Sequence, residues 1–100
     1  MAVTLVVYLH GFRSSPNSTK AVMTGEAVRA LSSADHSYEW FCPQLLASPK
    51  ASLEMVTKHI NQAKFDRIVI IGSSLGGFYT NYLAKKYQCK GITLNPAVYA

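Results

Sequence analysis

The chain has 100 residues, 49% of them hydrophobic and 15% charged, which bounds it to one small globular domain and excludes a disordered segment. Its formal net charge of +5 comes from ten scattered basic residues, with Lys85-Lys86 the only adjacent pair. No basic stripe is interleaved with aromatics, so a nucleic-acid partner is not expected. The apolar start, residues 2–9, is too short for a membrane span and lacks the basic flank and cleavage pattern of a secretory signal, so a cytoplasmic protein is expected.

Residues 4–9, Thr4-Leu5-Val6-Val7-Tyr8-Leu9, read as a strand, followed over residues 11–18 by a loop rich in turn formers. Asn17 or Ser18 caps a helix to about Ser33, with Val22, Ala27, Val28 and Leu31 as a ragged apolar face and Gly25 weakening it. Residues 38–42 form a second strand, stopped by Pro43. Ser48 and Pro49 then supply an N-cap and a first-turn proline for a helix with an apolar stripe of Leu53, Val56, Ile60 and Ala63. Asp66 reads as a helix-to-strand turn residue. Residues 67–71, Arg67-Ile68-Val69-Ile70-Ile71, have the unalternating β-branched character of a strand buried on both faces. A helix follows with Leu75, Phe78, Tyr79, Tyr82 and Leu83 on its inner face, then Gly91 and a fourth strand at residues 92–94. Cys42 and Cys89 have neither metal-ligand nor C-x-x-C spacing and read as reduced packing residues. This alternation predicts an α/β fold, a parallel sheet of about four strands with helices on both faces, and places ligand chemistry at the C-terminal strand ends.

One of those ends carries a motif. Gly72-Ser73-Ser74-Leu75-Gly76 matches G-x-S-x-G between an apolar strand and a helix, the pattern of a nucleophile elbow. A sharp turn exposes the Ser74 hydroxyl, and glycine at 72 and 76, with Gly77 after them, leaves room for it. The Lys-Ser/Thr ending of a P-loop is missing, and serine at 74 breaks G-x-G-x-x-G, so no nucleotide, cofactor or metal is expected. Acyl transfer needs two donors for the developing oxyanion. The Leu75 N–H is one, and Gly11 in His10-Gly11-Phe12 frees the Phe12 N–H to be the other. His10 at this corner reads as a brace for the loop and not as the base. His36, in a connecting loop, and His59, on a helix, read as structural, and Arg13 as solvated. No Asp, Glu or His follows Ser74 in the sequence, where a hydrolase triad would place them.

Five ordered blocks carry a resemblance. They are Tyr8-Leu9-His10-Gly11-Phe12, the run from Ser14 through Lys20 to Ala21, Cys42-Pro43-Gln44-Leu45, the run from Gly72 to Tyr79, and Leu94-Asn95-Pro96-Ala97-Val98. With them the chain resembles the N-terminal half of the YqiA/YcfP-type esterases of the α/β-hydrolase superfamily. The resemblance implies a bacterial cytoplasmic esterase acting on carboxylic esters, acyl thioesters among them, with Ser74 as nucleophile and Leu75 and Phe12 as oxyanion donors. It also implies that the first strand lies between the second and third, and that the acid and histidine lie in a second half. The expectation is therefore an N-terminal portion of a single hydrolase domain, inactive alone and open to self-association through the edge strand at residues 92–94. The alternative is a non-catalytic α/β module that binds a ligand or partner at the same glycine-rich corner.

Overall fold

A computed structural model of the chain describes residues 2–10, 17–73 and 76–94. Its elements alternate as β1 (Ala2–Leu9), α1 (Thr19–Ala30), β2 (His36–Phe41), α2 (Pro49–Gln62), β3 (Arg67–Ser73), α3 (Gly76–Tyr87) and β4 (Lys90–Leu94). The four strands form one parallel sheet in the order β2-β1-β3-β4. β1 is flanked by β2 and β3, as the resemblance implied, and Leu9 stands opposite Gly72.

That order explains the distribution of helices. The chain steps from β1 to β2 in one direction, then crosses back over β1 to β3 and continues to β4. Right-handed crossovers put helices of opposite steps on opposite faces. Leu5, Val7, Leu9 and Ile70 accordingly pack with Val56 and Ile60 of α2 and Leu83 of α3, whereas Val6, Tyr8 and Ile71 pack with Ala21 of α1. The reversal leaves a switch point between the C-terminal ends of β1 and β3, where open α/β sheets bind ligands.

α2 follows the sequence expectation: Ser48 accepts from the Ala51 N–H, Pro49 opens the helix, and Val56 and Ile60 are buried. The other two helices turn different faces inward. On α1, Val22 and Leu31 are exposed, and the buried face is Ala21 and Gly25 with half-buried Val28. A Cβ on Gly25 would stand 3.0 Å from Trp40 Cε2, so the glycine admits the indole rather than merely weakening the helix. On α3, Phe78 and Tyr82 are 59% and 54% exposed; Gly76, Gly77, Thr80 and Leu83 face the sheet, with Tyr79 half-buried. Small residues let α3 sit close to β3 and β4, which turns the aromatics outward. Gly91 lies inside β4 rather than before it, because a Cβ there would come within 2.9 Å of Ala84 Cβ. His36 opens β2 instead of occupying a loop; its Nε2 lies 2.6 Å from Thr4 Oγ1 and its ring stacks on Tyr38. Asp66 accepts from the Val3 N–H at 2.7 Å, joining the start of β3 to β1.

Candidate functional site at the end of β1 and β3

Only two residues separate the last residue of β3, Ser73, from the first of α3, Gly76. A connection this short forces the start of α3 back onto the strand ends, and two glycines make the contact sterically feasible. A Cβ on Gly72 would meet Thr80 Oγ1 and the Gly76 carbonyl, 2.6 Å from the carbonyl carbon. A Cβ on Gly76 would meet the Leu9 carbonyl, with the Leu9 carbonyl carbon at 2.9 Å and the His10 oxygen at 3.0 Å. Neither glycine has positive φ, so space, not dihedral freedom, is what the positions demand. Gly77 is buried in the same first turn. Ser74, Leu75, Gly11, Phe12 and Arg13 lie outside the described residues, and so do Asn95 and Pro96.

His10, only 5% exposed, follows β1 directly. Its Nε2 accepts from the Leu45 backbone N–H at 2.8 Å and lies 3.3 Å from Gln44 Nε2. Accepting at Nε2 puts the proton of a neutral ring on Nδ1. The same segment is tied onward to α2, where Ser52 Oγ accepts from the Leu46 N–H and donates to the Leu46 carbonyl. His10 thus holds the segment after β2 against the end of β1, a bracing geometry that occupies the lone pair a general base would use. His59 stacks on Phe41 with ring centroids 3.6 Å apart.

A second polar group meets on the α1 face of the same strand ends. Ser73 is 8% exposed and hydrogen-bonds through its side chain to Tyr8, whose hydroxyl has its pKa raised chiefly by burial. Lys20 Nζ, from the first turn of α1, lies 3.5 Å from Ser73 Oγ. Cys42 is near enough to Tyr8 for its charge to bear on the phenol, and burial pushes its own thiol up to about 11. Both cysteines are free thiols. Sequence reasoning quoted Tyr8, Lys20 and Ser73 in separate blocks without joining them. The available signal was a lysine in a helical first turn that has no acid to offset it.

Among the described residues no cluster of His, Cys, Asp or Glu is arranged to hold a metal ion, and no helix is long and apolar enough to cross a membrane. A shallow groove lined by Leu53, Thr57 and Asn61 of α2 and Tyr82 of α3 opens on the outside of the helices, not over the strand ends.

The fold and the site define an α/β protein with a parallel sheet, helices on both faces and a tight glycine-flanked strand-to-helix connection at its switch point. By sequence the chain belongs to the uncharacterised protein family UPF0227, whose family model matches residues 5–100.

Proposed function

We propose that the chain is an α/β-hydrolase-type serine esterase sequence in which Ser74 attacks the acyl carbonyl of a carboxylic ester or acyl thioester. The backbone N–H groups of Leu75 and Phe12 receive the developing oxyanion. The observation that carries this reading is the interlock around the two-residue connection: Gly72 and Gly76 sit where side chains would strike α3 and β1, as an elbow at position 74 requires. Its place at the switch point, beside His10 at the end of β1, supports this reading, since Phe12 and Leu75 follow His10 and Ser73 by two residues in the sequence. No acid or histidine follows Ser74 in this sequence, and His10 Nε2 is engaged with Leu45. Within these 100 residues this reading assigns no general base.

The test is covalent labelling with a fluorophosphonate, read by peptide mass, of the chain extended by a family-like second half that supplies an acid and a histidine. Modification should fall on Ser74, vanish in Ser74→Ala and be blocked in Gly76→Val. His10→Ala should retain appreciable labelling, since His10 only braces the loop. Labelling elsewhere, or ester hydrolysis that survives Ser74→Ala, rejects the nucleophile. The occupied His10 lone pair favours a second reading, a ligand-binding module of the same fold. Saturable binding of a small ester with no covalent modification of any serine would select it.

A further inference from the structure

Lys20 breaks a local rule. It is the second residue of α1, in a first turn without acidic residues, where the helix dipole opposes a cation. The cap needs nothing from it, because Ser18 Oγ already accepts from the Ala21 N–H. Such local conflicts concentrate at functional positions. The ammonium reaches instead to the end of β3, 53 residues away, and rests 3.5 Å from Ser73 Oγ. Ser73 and Tyr8 are both buried and share a side-chain hydrogen bond.

Among the described residues no acidic side chain stands beside this charge. The chain holds five acidic residues. Asp66 is bound to Val3, and the Asp35 carbonyl accepts from Ala2, both at the opposite, N-terminal end of the strands. Glu39 stands opposite Leu5, in the middle of β2. Glu54 faces the outer groove of α2, on the other side of the sheet. Glu26 lies further along α1, about 9 Å down the axis from Lys20 at 1.5 Å per residue. Among the described residues the C-terminal strand ends therefore present an exposed cation and no acidic side chain, beside the residue adjacent in sequence to Ser74.

We propose that Lys20, beside Ser73, selects the substrate of the Ser74 site by binding the free carboxylate of a half-ester. The inference rests on the esterase reading of Ser74. A single ammonium is a point charge without the bidentate fork of a guanidinium, which suits a monoanionic carboxylate better than a phosphate dianion.

Monomethyl succinate and dimethyl succinate separate charge from shape. Their binding to the protein is followed by NMR titration of the Lys20 side chain and the Ser73 amide. The half-ester should bind about fivefold tighter than the diester, the worth of one partly exposed ionic contact. Lys20→Met should erase that ratio and Lys20→Arg should keep most of it. Lys85→Met, which removes the same charge from the last turn of α3, should leave it unchanged. Monomethyl succinate should also slow fluorophosphonate labelling of Ser74 more than dimethyl succinate does. Equal binding of the two esters, or a preference that survives Lys20→Met, overturns the assignment of Lys20 even if Ser74 labels. A Lys20-dependent preference in a protein whose Ser74 never labels keeps the carboxylate site and removes the esterase.

Discussion

Gly76 shows how narrowly the connection after β3 is built, because its missing side chain is replaced by the backbone of β1. A methyl group there would strike the Leu9 carbonyl, and neither backbone can yield without moving a strand end. Gly76→Ala should therefore lose about 2 kcal/mol by urea unfolding, in the range of core overpacking, whereas Gly→Ala in an open helix gains stability. Thr80 makes the opposite case. It is wholly buried under Gly72, and its Oγ1 has no hydrogen-bond partner among the described residues. An unsatisfied buried hydroxyl is costly, so Thr80→Val, of nearly equal shape, should stabilise the fold by about 1 kcal/mol. A loss of stability in Thr80→Val would mean that the hydroxyl has a partner in solution, such as a bound water.

At the scale of elements, the exposure of α3 predicts a contrast between residues that the sequence ranks alike. Leu83→Ala should cost about 2–5 kcal/mol, since its side chain fills the space between α3 and the sheet. Phe78→Ser and Tyr82→Ser should each stay within about 0.5 kcal/mol, as exposed positions do. Larger losses at Phe78 or Tyr82 in chemical denaturation would restore the inward face expected from hydrophobicity. This contrast also locates what the sequence made legible. β1 and β3 could be read because both faces of each are covered, leaving unbroken apolar runs, and α2 because Val56 and Ile60 recur at helical spacing. α1 and α3 were legible as helices but their inward faces were not, because they bury Ala21, Gly25, Gly76, Gly77 and Thr80, small residues that carry little hydrophobic signal. In the site, glycine spacing revealed the turn, since its constraint is local. The approach of Lys20 to Ser73 depends on a crossover 53 residues long and leaves no periodic trace.

For the whole molecule, the reversal of strand order decides where chemistry and charge collect, and the helices on the two faces of the sheet cover weak acids on both. Tyr8 and Cys42 lie on the α1 face and Cys89 on the other, and burial raises the pKa of all three. Cys42 is the largest case, rising from 9.0 to about 11. The neutral thiol is the form that the fold favours, so the folded chain holds this proton more tightly than the unfolded chain. The resulting stability is fully present below the unfolded pKa, near pH 9, and is lost as pH rises through about 11. Tyr8 and Cys89 act in the same direction. The melting temperature should thus be nearly level from neutral pH to about pH 8.5 and fall above pH 9, by the linkage sign just given. Cys42→Ala removes the group whose shift is largest, so its alkaline decline should be shallower than that of the parent even though the substitution lowers stability at neutral pH. Alkylation by iodoacetamide supplies an independent reading, because the thiolate is the reactive species and Cys42 should stay slow at pH 8 in the folded protein. A variant that declines as steeply as the parent, with Cys42 alkylated at the rate of an unfolded thiol, would show that the layer around Tyr8 and Cys42 is open to water.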